Sequence, residues 1–377
     1  MKYREFGETG AEVSVLGFGC MRLPLVEGSE TEVDFDESLR MIRHGIDNGI
    51  NYIDTAWPYH HGKSEEITGR ILADGYRDKV YLATKLPSWL VKSREDMDNF
   101  LKQQLERLNT EYIDFYLIHS LNETSWSDVK KNGLFDFIEE AKSSGKIKHI
   151  GFSFHDQLPL FKEIVDAYSW EFCQIQYNFM DRDYQAGFEG LEYAAQRGLG
   201  VIVMEPLRGG TILKNIPDDI DAVWKSSPEV KSPADSALRW VWDNPKVSLL
   251  LSGMSTMDQV VENLASADRA ATDGLSRNEL NVIEEVRGIY ESRIIAPCTN
   301  CRYCMPCPSG VEIPACLTYL NNTSIYNSVD AFKVSYTKYF DDSKKAHNCI
   351  ECGQCEEACP QHIPIIEKLK QLDEIMK

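Results

Sequence analysis

Short apolar runs recur along the chain at Val13–Gly19, Tyr52–Thr55, Val80–Lys85, Phe115–His119, His149–Ser153, Phe172–Tyr177, Gly200–Glu205 and Val247–Gly253. Each has the length of a buried strand. Between them, apolar residues fall at helical spacing. One set is Leu134, Phe137, Ile138 and Ala141; a second is Ala234, Ala237, Leu238 and Val241; a third is Met257, Val260, Val261 and Leu264. Eight strand–helix units in about 270 residues predict an α/β fold, the (β/α)8 TIM barrel. A doubly wound sheet is the alternative, but it wants a glycine-rich phosphate turn after its first strand. Leu16-Gly17-Phe18-Gly19-Cys20 offers only two glycines there. Ahead of the barrel, Lys2 to Val15 predicts a β-hairpin turning at Glu8-Thr9-Gly10.

The connection after the seventh barrel strand, Leu207 to Lys231, is long and carries Arg208-Gly209-Gly210. Long loops on that face of a barrel cover ligands. Leu275 to Ile289 predicts a last helix, and Ala296-Pro297 marks a boundary. Residues 1–289 are expected to form the barrel and 290–377 a second domain, in which Leu317 to Asp342 includes helix.

Composition narrows the partners. The formal net charge of −19 on 377 residues argues against nucleic acid or an anionic membrane. Residues 290–377 hold 9 Lys and Arg against 11 Asp and Glu, so nearly all of that charge belongs to the barrel. A hydrophobic content of 43% supports a packed core. The start, MKYREFGETG, has no signal-peptide apolar segment, and no stretch reaches the roughly 20 apolar residues of a membrane span. A cytoplasmic protein is expected.

Three consecutive barrel strands end in ionisable residues: the second in Asp54, the third in Lys85, the fourth in His119. Tyr59 follows on the loop after Asp54. Barrel active sites lie at the C-terminal strand ends, so the four should share one pocket. A phenol, with its pKa near ~10, is a poor acid or base at neutral pH, and an ammonium beside it favours the phenolate. Lys85 is expected to lower the Tyr59 pKa, with Asp54 holding Lys85 charged and His119 orienting a carbonyl. Tyr59 then serves as acid for carbonyl reduction or base for alcohol oxidation.

These residues resemble the aldo–keto reductase family. The matching motifs are Gly17-Phe18-Gly19, Asp54-Thr55-Ala56 with Tyr59, Gly62-x-Ser64-Glu65-Glu66, Thr84-Lys85, Tyr116-Leu117-Ile118-His119 and Gln174-x-x-Tyr177-Asn178, then Gly253-Met254-Ser255 with Glu262-Asn263. The resemblance spans about residues 1 to 270. It implies a catalytic tetrad of Asp54, Tyr59, Lys85 and His119, and a nicotinamide cofactor, NAD or NADP, bound in extended form. The implied cofactor contacts are Gly19, Cys20 and Met21 after the first strand, Ser153 after the fifth and Gln174 in the sixth. Met204, Pro206, Leu207 and Gly209 follow the seventh, and Gly253, Met254, Ser255, Gln259, Glu262 and Asn263 the eighth. Three departures matter. Ser153-Phe154 stands where the family has Ser-Asn, and Met204 replaces an aromatic that stacks on the nicotinamide. The segment Gly253 to Asn263 lacks the basic residue that holds the 2′-phosphate of NADP. NAD, NADP and a flavin all remain open.

Eight cysteines fall in two runs: Cys298, Cys301, Cys304 and Cys307 before Pro308, and Cys349, Cys352, Cys355 and Cys359 before Pro360. The second run has the bacterial ferredoxin spacing; the first is one residue shorter before its last cysteine. Tandem thiolates at this spacing suit two 4Fe–4S clusters. Two four-cysteine zinc sites are the competing reading, but zinc ribbons seldom end in Cys-Pro after three such spacings. If the last cysteine of each run crosses over, one cluster takes Cys298, Cys301, Cys304 and Cys359, and the other Cys349, Cys352, Cys355 and Cys307. The segment resembles the dicluster ferredoxins, which implies a mainly helical, ferredoxin-like iron–sulfur domain.

Among the remaining residues, Cys173 and Cys316 read as packing, and Cys20 as either packing or cofactor contact. His60 and His61 read as exposed or pocket-lining. Trp57, Trp89 and Trp126 read as pocket walls or packing, and the pairs Glu65-Glu66 and Glu356-Glu357 as solvated surface. Two functions compete, beside a third reading in which the clusters are structural staples or oxygen sensors. One is a carbonyl reductase with a small-molecule substrate and two clusters for electron transfer. The other is a module in which the barrel binds a cofactor, flavin included, or a partner, and the clusters serve ferredoxin or another redox protein. Hydride carries two electrons and a cluster one, so coupling them calls for a relay.

Overall fold

The computed structural model describes every residue except Asn215, Thr299, Cys301 and Asn327. It divides into two compact units, Met1–Gly209 with Val230–Leu280, and Gly210–Glu229 with Asn281–Lys377. The long connection after the seventh barrel strand is therefore split, its Gly210–Glu229 stretch grouping with the C-terminal unit.

In the first unit, β1 (Tyr3–Glu5) pairs antiparallel with β2 (Glu12–Ser14) as the predicted hairpin. Among the described residues, eight parallel strands then close a barrel. They are β3 (Leu16–Gly19), β4 (Tyr52–Asp54), β5 (Tyr81–Leu86), β6 (Ile113–Leu121), β7 (Ile147–Phe154), β8 (Phe172–Gln176), β9 (Gly200–Met204) and β10 (Leu249–Ser252). Closure comes from β10 pairing with β3, Leu251 beside Gly17.

Side chains alternate across each strand, and that period places the site. Tyr52, Ala83, Phe115, Leu117, Phe172, Ile202, Leu249 and Leu251 fill the barrel interior. Phe6, from the hairpin, plugs its lower end, with ring centroids 4.8 Å from Phe115 and 5.3 Å from Phe172. A Cβ at Gly200 would lie 2.2 Å from the Phe6 ring, so that strand position must be glycine. Two residues further up each strand, the same phase reaches Asp54, Lys85, His119, Gln174 and Met204. The intervening residues Ile53, Leu82, Tyr116, Ile118 and Val203 pack outward under the helices.

The helices follow the predicted spacing with one shift. Leu134, Phe137, Ile138 and Ala141 are buried on the helix Leu134–Ser143, and Ala234, Ala237, Leu238 and Val241 on Pro233–Asp243. On Met257–Ala267 the buried face is Val260, Asn263, Leu264 and Ala267, whereas Val261 is exposed. The inward turn of Asn263 has a polar cause: its Nδ2 donates to Ser252 Oγ at 3.0 Å, at the end of β10.

The second unit is mainly helical. Its helices Ile313–Ile325, Val329–Lys338 and Ile365–Met376 bring Leu317, Leu320, Tyr336, Leu369 and Leu372 into one core. Among the described residues, no helix is long and apolar enough to cross a membrane.

Candidate functional site

Asp54, the last residue of β4, is buried, and Lys85 reaches it from β5. Lys85 Nζ donates to both Asp54 carboxylate oxygens, at 2.6 and 2.7 Å, and to the Thr55 carbonyl at 2.8 Å. Burial pushes the Asp54 carboxyl up and the Lys85 ammonium opposes this. On Lys85, burial is outweighed by Asp54 and Tyr59, so the ammonium lies above its usual range.

Tyr59 opens the turn Tyr59–Gly62 and lies beside Lys85, whose Nζ is 5.2 Å from the ring centroid. Burial raises the Tyr59 pKa, with Lys85 pulling against it. This reverses the expected direction, because burial of the phenolate outweighs the ammonium. His119 stands beside it, ring centroids 6.0 Å apart and nearly perpendicular. Burial, then Lys85 and His155, hold the His119 pKa well below 6.5, so the imidazole is neutral at physiological pH. Its Nδ1 is buried without a hydrogen-bond partner. The backbone at His119 is pinned: Ser88 Oγ donates to its carbonyl at 2.6 Å, and the next N–H, of Ser120, donates to Ser153 Oγ at 2.7 Å.

Tyr59 and His119 line a cavity of about 890 Å³ that also takes in Met21, Arg22, His60, His61, Trp89 and Ser255. The Trp89 ring lies 5.1 Å from that of His119 and is 48% exposed. Trp57 instead packs on Phe100 under the Arg107 guanidinium, and Trp126 is buried with its N–H on Glu163. His60 accepts the Leu23 N–H through Nε2 at 3.2 Å, which fastens the Cys20–Arg22 turn.

The expected cofactor contacts separate into two groups. Gln174 Nε2 donates to Met204 Sδ at 3.4 Å, while its Oε1 is buried with no partner. An orphaned amide oxygen is what a nicotinamide carboxamide, with its two N–H donors, would satisfy. A Cβ at Gly19 would meet the Ser252 carbonyl at 3.4 Å. Ser255 Oγ donates to the Arg22 carbonyl at 2.7 Å, and the Ser255 N–H donates to Gln259 Oε1 at 2.8 Å. Four others are engaged in the packing or hydrogen bonds of the fold. Cys20 and Met254 belong to the core, burial raising the Cys20 thiol to about 12. Glu262 accepts from Ser232 Oγ, and Pro206 is buried.

Two features escaped the sequence reading. Glu65 is not solvated surface: it is fully buried, while Glu66 is exposed. Thr84 Oγ1 and Gln104 Nε2 each donate to Glu65 Oε1 at 2.7 Å, and Gln104 also donates to the Lys85 carbonyl at 2.9 Å. This network braces the strand end that carries Lys85. The second is Arg22, whose guanidinium lies 3.3 Å from both Glu205 and the Gly209 carbonyl. It brings a cation beside Gly253, from 231 positions earlier in the sequence, where the local segment has none.

In the second unit, seven of the eight cysteines of the two runs can be described; Cys301 lies outside the described residues. Two cavities take them in, with Cys304 on both. One, of about 230 Å³, is lined by Cys304, Cys307, Cys349, Cys352 and Cys355; the other by Cys298, Cys304 and Cys359 among Pro314, Leu317 and Ile363. Cys307 thus shares a cavity with the second run, and Cys359 one with Cys298 and Cys304 of the first. The donor chemistry also fits a thiolate cluster. The Asn300 and Glu351 N–H groups donate to Cys298 and Cys349 Sγ, each at 3.4 Å, from left-handed loop positions. Burial works against the Cys307 thiolate, but the Ser309 hydroxyl and nearby backbone N–H groups outweigh it and lower the pKa. Such N–H···S bonds tune iron–sulfur centres.

A closed parallel barrel with a buried lysine–aspartate pair, a tyrosine and a neutral histidine at its C-terminal strand ends defines an oxidoreductase barrel. Residues 15–286 match the aldo/keto reductase family, and the chain belongs to it. Residues 297–363 match a 4Fe-4S dicluster domain. L-galactose dehydrogenase of Arabidopsis thaliana is 27% identical over 312 residues, covering 76% of this chain and 94% of that protein. An aldo-keto reductase from Bacillus halodurans in its holo form is 27% identical, with a TM-score of 0.64 over 76% of this chain and 96% of its own. One from Klebsiella pneumoniae, in complex with NADPH, is 25% identical with a TM-score of 0.63 over 76% and 95%.

Proposed function

We propose that the barrel interconverts a carbonyl and an alcohol with a nicotinamide cofactor, and that the second unit carries two 4Fe–4S clusters for electron transfer. The observation that carries the first half is the grouping on one cavity wall of Tyr59, beside the buried Lys85–Asp54 pair, with neutral His119. The nicotinamide, when bound, supplies or accepts the hydride. Tyr59 Oη delivers the proton that the carbonyl oxygen takes on reduction, and Lys85 stabilises the phenolate left behind. Asp54 keeps Lys85 charged. His119, uncharged, hydrogen-bonds the substrate oxygen. Gln174 Oε1 accepts from the carboxamide and orients the ring. NADPH in the Klebsiella relative supports a nicotinamide here. For the clusters the support is the two cavities and their N–H···S donors; in the crossing assignment Cys298, Cys301, Cys304 and Cys359 would hold one cluster and Cys349, Cys352, Cys355 and Cys307 the other.

The test is Tyr59→Phe in protein purified without air. Turnover of a panel of aldehydes and ketones should fall by about 10²- to 10⁴-fold with iron and sulfide content unchanged. Undiminished turnover would place the proton transfer elsewhere. A titration of the clusters with NADH and NADPH, against dithionite, then shows whether nicotinamide electrons reach them.

A further inference from the structure

The wall behind Tyr59 and Lys85 is built from polar side chains that the proton transfer does not use. Thr55, Ser64, Glu65, Thr84 and Gln104 are all wholly buried, as Lys85 is. Their bonds converge on Ser64 and Glu65, the first two residues of the helix Ser64–Ile71. Ser64 Oγ shares a hydrogen bond of 2.9 Å with Thr55 Oγ1 and donates to the Cys20 carbonyl at 3.2 Å. The first of these closes the loop that carries Tyr59. Glu65 Oε1 takes Thr84 and Gln104, and Gln104 in turn holds the Lys85 carbonyl. Tyr116 Oη donates to Gln104 Oε1 at 2.6 Å, which fixes that amide. Glu65 Oε2 takes Arg107 Nη1 at 3.2 Å, and the same guanidinium lies 3.6 Å from the centroid of the Trp57 ring, in the Tyr59 loop. Between these ties the turn runs through His60 and His61, both left-handed, at φ 49° and 56°. Consecutive non-glycine residues in that region persist only where the surroundings hold them.

A buried carboxylate is a costly brace. Burial pushes the Glu65 carboxyl up, and Thr84, Gln104 and Arg107 oppose it. An apolar side chain of similar size would pack here without that cost. We propose that Glu65 is a positioning residue of the reaction: through Thr84 and Gln104 it fixes the main chain of Lys85, and through Arg107 and Trp57 the loop of Tyr59, so that ammonium and phenol stay in register. The proposal rests on the reading above, in which Tyr59 moves the proton and Lys85 stabilises the phenolate. Glu65 lines no part of the cavity, so its effect runs through those two residues. Misplacing a reacting group by about 1 Å costs up to about 10²-fold in rate.

The experiment measures Tyr59→Phe, Glu65→Leu and the double variant in full-length protein purified without air, against a panel of aldehydes and ketones. Tyr59→Phe tests the reading itself: undiminished turnover there overturns the reaction, whatever Glu65 does. With Tyr59→Phe slow, Glu65→Leu should lower kcat by about 10- to 10²-fold, while KM for the carbonyl and Kd for the nicotinamide stay within about twofold. Residues that act as a unit are not additive, so the double variant should match Tyr59→Phe within about threefold. Glu65→Gln keeps an oxygen for Thr84 and Gln104 and should recover part of the loss. Wild-type kcat in Glu65→Leu overturns the proposal. So does a loss that multiplies fully onto that of Tyr59→Phe, which marks a residue serving the fold alone. A loss confined to KM, or Glu65→Gln as slow as Glu65→Leu, overturns it too. Should Glu65→Leu fail to fold, Thr84→Val removes one hydroxyl from Glu65 and is judged by the same split of kcat from KM and the same double variant with Tyr59→Phe.

Discussion

Lys85 Nζ bridges both carboxylate oxygens of Asp54, at 2.6 and 2.7 Å, and both side chains are shut off from solvent. Breaking a buried pair from one side strands a charge. Lys85→Met alone should destabilise the barrel by about 3–5 kcal/mol. The double variant Asp54→Leu/Lys85→Met removes both charges and should recover more than half of that loss while remaining inactive. Denaturant unfolding of the three proteins, with carbonyl turnover in parallel, checks this. A double variant as unstable as Lys85→Met would mean that packing, not charge, sets the cost.

The pH dependence follows from two shifts with worked signs. Reduction needs Tyr59 protonated, and burial holds its pKa above 10 against the pull of Lys85. Its acid form therefore persists as pH rises, so kcat/KM for reduction should show no alkaline limb below about pH 10. His119 must be neutral, and burial with Lys85 and His155 keeps its pKa well below 6.5. The acid limb should lie below about 6.5, the ordinary histidine value. Profiles from pH 5.5 to 9.5 decide it, and an alkaline limb near 7 to 8 would assign the proton to another group.

How much of this was legible in the sequence depends on the range of each interaction. Asp54, Lys85 and His119 were readable because strand alternation is local: each lies two residues above an inward core residue, Tyr52, Ala83 or Leu117. Glu65 was not. It sits beside exposed Glu66 in a pair that reads as surface, and its partners Thr84, Gln104 and Arg107 come from 19 to 42 residues away. Arg22 was missed for the same reason, because tertiary closure of β10 onto β3 brings it to Gly253. The direction of the Tyr59 shift was missed because charge is visible in a sequence and desolvation is not.

Gln174 offers a separation of fold from cofactor. Its Oε1 is buried without a partner and its Nε2 bonds only the weak acceptor Met204 Sδ, so removing the amide costs the fold little in hydrogen bonding. Gln174→Met should leave thermal stability without cofactor unchanged or slightly raised. Nicotinamide affinity should nonetheless weaken by about 1–2 kcal/mol, or roughly 5- to 30-fold in Kd. Calorimetric melting and fluorescence titration with NADH and NADPH measure the two effects. Unchanged affinity would remove Gln174 from the cofactor site.

Arg22 carries the last prediction. Its guanidinium bonds Glu205 and the Gly209 carbonyl past β9, its own carbonyl accepts from Ser255 past β10, and a Cβ at Gly253 would lie 3.2 Å from its Cδ. The side chain is 43% exposed, on the wall of the cavity. An arginine tied to three strand ends suits the pyrophosphate common to both dinucleotides, as a charge-assisted contact. Arg22→Gln should therefore raise Kd for NADH and NADPH by a similar factor, about 10-fold, and should flatten the salt dependence of both. Titrations at two ionic strengths separate the outcomes. Loss confined to NADPH would move Arg22 to the 2′-phosphate and make this chain NADP-selective through a residue outside the segment Gly253 to Asn263. Loss of neither would leave Arg22 as a purely structural tie between Glu205 and Gly209.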